Sequence, residues 1–83
     1  MRLDKYLKVS RLIKRRTLAN EACDSGLVSL NGRPARASSE VKIGDVITLT
    51  LGRRRVSVEV LAVAEAVGKA DAAALYRELP EQA

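Results

Sequence analysis

The sequence predicts an α+β fold: two short N-terminal helices packed on a small curved antiparallel sheet of three to five strands, followed by a short C-terminal helix. Three observations predict it. Apolar residues recur at helical spacing up to about Ser25 and then alternate with a period of two. Turn signals at Asn31-Gly32, Gly44-Asp45 and Gly52-Arg53-Arg54-Arg55 punctuate the alternating part. From about Lys69 to Glu78 the composition turns alanine-rich and favours helix again.

The first helix spans Arg2 to about Val9. Leu3, Tyr6, Leu7 and Ser10 fall at i, i+3, i+4 and i+7 and share one face. Leu12 and Ile13 break that pattern and read as apolar pins in a tight connection. The second helix spans about Arg16 to Ser25, with Leu18, Ala19, Ala22 and Cys23 as its buried stripe. Arg15 stands where a capping Ser or Asp is usual, and Thr17 is the alternative cap. Gly26 suits a left-handed stop.

Leu27 to Leu30 is then a short strand, and Asn31-Gly32 fits a tight hairpin turn. Pro34 confines the return segment to an edge or an irregular stretch. Ala37 to Glu40 reads as loop. Val46 to Leu51 places Ile47, Leu49 and Leu51 on one face, and Val56, Val58 and Val60 alternate with Ser57 and Glu59 after the arginine turn. In the tail, Leu75 and Tyr76 are the side chains expected to pack back, and Pro80 ends the helix.

Eighty-three residues suffice for one domain with no separate catalytic unit. Residues 1–62 are expected to form a binding domain, and residues 63–83 a C-terminal extension, partly helical. Only 2% of residues are aromatic, so Leu, Val, Ile and Ala must build the core. One cysteine, Cys23, excludes an intrachain disulfide framework, and its place on an apolar stripe points to an inert thiol. Without histidine there is no zinc site and no Ser–His or Cys–His pair; no cofactor and no enzymatic activity are expected. The N-terminus lacks a secretory signal, and no apolar run nears the ~20 residues of a membrane span. A cytoplasmic protein without a membrane partner is the expectation.

Charge is the sharper signal. The formal net charge is +5, divided as +8 over residues 1–55 and −3 over residues 56–83. Such asymmetry implies a basic face and an anionic partner. Seven of the first sixteen residues are basic, namely Arg2, Lys5, Lys8, Arg11, Lys14, Arg15 and Arg16, against the single acid Asp4. Two packed helices would bring Arg2 towards Arg15 and Arg16, and cations at a helix N-terminus reinforce free backbone N–H groups as phosphate donors. A merely solvated helix face is the bland alternative. Thr17 and Asn20 either bond a ribose or phosphate oxygen or serve as cap and exposed polar residue. Asn31 is first a turn residue, with a second role as a tip near an RNA backbone, beside Arg33 and Arg36. Arg53-Arg54-Arg55 is either a further phosphate contact or a solubilising loop. Two tyrosines are too few for base-stacking platforms, which favours a folded RNA recognised by backbone and shape.

Arg2-Leu3-Asp4-Lys5-Tyr6-Leu7, Arg15-Arg16-Thr17-Leu18-Ala19, Gly26-Leu27-Val28-Ser29-Leu30-Asn31-Gly32 and Val41-Lys42-Ile43-Gly44-Asp45-Val46-Ile47 together resemble the RNA-binding domain named after small-subunit ribosomal protein S-four. The resemblance covers about residues 2–51 and implies that family's alpha-L arrangement of helices on a sheet. The same module occurs in pseudouridine synthases, tyrosyl-tRNA synthetases and the heat-shock protein fifteen family. Chain length and the run Leu7 to Thr17 are similar to small bacterial ribosome-associated quality-control factors of this superfamily. That resemblance implies a factor, monomeric when free, on stalled large ribosomal subunits. It would contact ribosomal RNA and peptidyl-tRNA and hold the P-site tRNA while an RqcH-type partner adds C-terminal alanine tails. A recycling factor of the heat-shock protein fifteen kind is the alternative. The implied RNA-binding residues are Arg2, Lys5, Lys8, Lys14, Arg15, Arg16, Thr17, Asn31, Arg33 and Arg36, with Arg2 and Arg16 foremost. Many superfamily members carry Ser where this chain has Arg15, so their capping does not transfer.

Overall fold

The structure, a computed structural model, describes residues 1–65 and 67–80. Helix α1 (Leu3–Val9) and helix α2 (Arg16–Asp24) precede strands β1 (Val28–Leu30), β2 (Arg33–Pro34), β3 (Val46–Leu51) and β4 (Arg54–Val60). A one-turn helix α3 (Lys69–Ala72) and a 3-10 turn (Ala73–Leu75) lead into strand β5 (Tyr76–Leu79). Among the described residues the sheet is five-stranded and antiparallel, in the order β2-β1-β3-β4-β5. The expected α+β architecture of two N-terminal helices on an antiparallel sheet is the one observed.

The core lies between the helices and one sheet face. Leu3, Tyr6 and Leu7 of α1 and Ala19 and Cys23 of α2 meet Val28, Ile47, Leu49, Val58 and Val60 of the sheet. Leu12 and Ile13 pack against this cluster as the pins of the helix connection. That connection turns at Arg11, whose φ of 62° is left-handed and strained for a residue with a Cβ. Tyr6 is fully buried and its hydroxyl donates to the Leu75 carbonyl at 2.6 Å, tying α1 to the chain just before β5. Burial, with Tyr76 nearby, pushes the Tyr6 phenol up to about 12, so it remains a donor.

Turn chemistry sets the register. Asn31 (φ 53°) and Gly32 (φ 82°) take the two positive angles of a primed two-residue hairpin. The Asn31 amide then locks the turn to the start of β3. Its Oδ1 accepts the Val46 N–H at 2.9 Å, and its Nδ2 donates to Asp45 at 3.1 Å. At the end of α2 the Leu27 N–H donates to Ala22 and the Gly26 N–H to Cys23, the double closure of a glycine-terminated helix.

Four expectations need correcting. Leu18 is 49% exposed, because the stripe that faces the core is Ala19 and Cys23 and leaves Leu18 to one side. Leu51 shares the inward parity of Leu49, but it sits at the strand end beyond the cover of the helices and is exposed. Arg54 and Arg55 are not in the turn: they pair with Leu51 and Thr50 as the first residues of β4. The tail is helical only as far as Leu75. Tyr76 to Leu79, which follow the alanines, extend the sheet instead, because β4 offers them an open edge.

Candidate nucleic-acid interface

Asp4 organises the basic face. It lies in the first turn of α1, with its side chain only 2% exposed. Its Oδ1 accepts the Lys5 N–H at 2.8 Å and Arg2 Nε at 3.2 Å. Its Oδ2 accepts the Arg2 Nη2 at 3.3 Å, Arg16 Nε at 3.4 Å and Asn20 Nδ2 at 3.5 Å. Arg16 and Asn20 are four apart on α2, hence on one face of that helix. One carboxylate thus fastens the N-terminal turns of both helices together. Burial alone would raise the Asp4 pKa, but the Arg2 and Arg16 guanidiniums and the Lys5 N–H outweigh it and hold the carboxyl below its usual range.

The two arginines are anchored but not consumed. Their side chains are 51% and 48% exposed. A guanidinium has five N–H donors; Arg2 gives two to Asp4 and Arg16 gives one. Their remaining donors make no side-chain hydrogen bond among the described residues. Two cations against one anion leave the cluster net positive.

The N-terminus of α1 differs from the expectation of free N–H donors. Leu3 N–H donates to the Ser39 carbonyl and Asp4 N–H to the Ala37 carbonyl, so the loop after β2 closes that helix end. The expected anion cradle therefore falls to α2 alone. Its cap residue, Arg15, is extended (φ −125°, ψ 139°) and makes no side-chain capping bond. Thr17 lies inside the helix and is exposed, so it is not the cap. Lys14, Arg15 and Arg16 surround this uncapped end, all exposed.

The other sequence candidates separate. Lys8 is exposed in the last turn of α1. Lys5 is ion-paired to Glu65 from the segment after β4. Arg36 is exposed, one residue before the Ala37 carbonyl that accepts the Asp4 N–H. Arg33 is exposed on the edge strand β2. Asn31 spends its amide within the fold, as described. Sequence reasoning missed the organising residue. The available signal was Asp4 itself, one acid among seven cations, together with the Arg16–Asn20 spacing.

Two helices crossing at a carboxylate-pinned arginine pair, followed by a hairpin, define the class. Residues 1–47 match the family model described as the S4 domain, and the chain is an S4-domain protein. It is 52% identical over 82 residues to the RQC P-site tRNA stabilizing factor of Bacillus subtilis (strain 168), covering 99% of this chain and 95% of that one. Heat shock protein 15 of Escherichia coli (strain K12) is 38% identical over 82 residues, 98% of this chain and 62% of that protein. The trimeric structure of Vibrio cholerae Heat Shock Protein 15 superposes with a TM-score of 0.89 at 36% identity, covering 95% of this chain and 81% of that one. Within the S4-domain class, the chain belongs to the family of RQC P-site tRNA stabilizing factors.

Proposed function

We propose that this chain is a non-catalytic, RNA-binding quality-control factor of the large ribosomal subunit, acting in the cytoplasm. It binds stalled subunits, contacts ribosomal RNA and peptidyl-tRNA, and holds the P-site tRNA in place during template-free alanine tailing by an RqcH-type partner. Free in solution it is a monomer. The observation that carries this reading is the Arg2–Asp4–Arg16 cluster, two half-exposed guanidiniums fixed by one buried carboxylate. The name of the Bacillus subtilis relative supports it.

Arg2 and Arg16 take one phosphate group through their remaining donors, in charge-assisted bonds. Lys14, Arg15 and Thr17 take a neighbouring phosphate at the uncapped start of α2, where backbone N–H groups add to the side chains. Lys8, Arg33 and Arg36 add long-range attraction. Lys5 and Asn31, held by Glu65 and Asp45, contribute less.

Arg16→Ala should weaken co-sedimentation with nascent-chain-bearing large subunits without unfolding the protein. Equal co-sedimentation would reject the assignment. The likeness to heat shock protein 15 favours a second reading, recycling of such subunits without a part in tailing. Alanine tails on a stalled reporter decide between them: they disappear from a deletion strain under the first reading and persist under the second.

A further inference from the structure

The sheet has a face that the helices do not cover. Val28, Ile47, Leu49 and Val58 point into the core, so the alternate residues Ser29, Thr48, Thr50 and Ser57 point away from it. The registers align Ser29, Thr48, Ser57 and Leu79 as one row across β1, β3, β4 and β5. The Thr48 and Ser57 hydroxyls share one hydrogen bond of 3.0 Å, which leaves each with further bonding capacity. This face is a groove, and Arg53, Arg54 and Arg55 line it at the β3–β4 hairpin.

Three features say what fits there. The three arginines are exposed, and none is ion-paired among the described residues. The acid of β4, Glu59, is paired to Arg77. The groove's central side chains are short hydroxyls, which allow a polar chain to approach closely. Both tyrosines lie on the core side, so nothing in the groove stacks a base.

We infer that this groove is a second binding surface for the sugar-phosphate backbone of a folded RNA, so that one chain holds two RNA segments at once. One lies against Arg2 and Arg16 and the other against Arg53 to Arg55. The inference rests on the RNA-binding reading above and adds a surface to it.

The test uses the full chain and two RNA hairpins, one labelled with a fluorescence donor and one with an acceptor. Wild-type protein should bring them together and give energy transfer. A variant carrying Arg53→Ser, Arg54→Ser and Arg55→Ser should still bind one hairpin but lose the transfer. Wild type should bind two hairpins per chain and the variant one, with the salt dependence of the hairpin that remains unchanged, because its phosphates meet Arg2 and Arg16. Thr50→Val with Ser29→Ala leaves charge unchanged and should lower the transfer, which guards against a fold defect in the first variant. Unchanged transfer and two hairpins still bound in both variants would overturn the inference. If Arg2→Ala with Arg16→Ala abolishes binding in that case, the proposed function survives the loss of the second surface. If it does not, both fall. A polyglutamate peptide that occupies the groove more tightly than the hairpin would reassign it to an acidic protein and also overturn the inference.

Discussion

Arg2 and Arg16 share a buried carboxylate, whereas Arg53, Arg54 and Arg55 make no ion pair among the described residues. The first pair has surrendered part of its charge to Asp4 and gained a fixed direction. The second group keeps its charge and carries it on the Gly52-Arg53 turn and the first two residues of β4. The contrast separates two ways of meeting a polyanion. Fixed forks read where a phosphate stands; loose cations raise attraction over a wider area.

The largest expected effect comes from removing the anchor. Asp4→Asn adds one positive charge, so attraction alone predicts tighter RNA binding. If orientation governs, RNA affinity instead drops, and stability falls by about 1–2 kcal/mol, the range for charged hydrogen bonds discounted for half-exposed partners. Filter binding and thermal melting measure the two; tighter binding would dissolve the contrast. A smaller effect is expected from charge-preserving exchange. Arg16→Lys loses the planar fork and its hold on Asp4 and should weaken binding, whereas Arg54→Lys should leave it nearly unchanged. Equal losses would mean that both sites act as charge alone.

The smallest effect is in acid. Asp4 titrates lower in the folded protein than the usual aspartate value of about 3.9. Its contribution is therefore complete above that value and is lost as the pH falls through the folded one, since the unfolded chain binds the proton first. Glu65 is likewise held below its usual range by its bond to Lys5. Comparing wild type with Asp4→Asn isolates Asp4: the melting temperature of the wild type should decline more between pH 5 and pH 2. Parallel curves would remove the carboxylate from the stability of this face.

Local chemistry made much of the fold legible. Helical spacing of Leu3, Tyr6 and Leu7, the Asn31-Gly32 turn and the alternation of Val56, Val58 and Val60 each point to one structure. What stayed hidden depends on distant partners. Tyr76 to Leu79 carry no strong strand signal, and only the open edge of β4 makes them a strand. Leu18 fits a helical stripe as well as Ala19 does, and the packing geometry alone exposes it. At the candidate site, density of charge singled out the stretch that the two helices occupy, but not its arrangement. Asp4 stood out in the sequence only as the single acid among seven cations, because its partners, twelve and sixteen positions away, converge only when the helices cross.

The Tyr6 hydroxyl and the Leu75 carbonyl are 69 positions apart, and β5 follows at once. Closing so wide a loop is entropically slow, so this bond forms late. During synthesis, the helix that carries Asp4, with Arg2 at its cap, is made long before Leu75, on which part of its support depends. A half-made copy has its cations without that brace, and the grip is complete only when Leu75 has joined the fold.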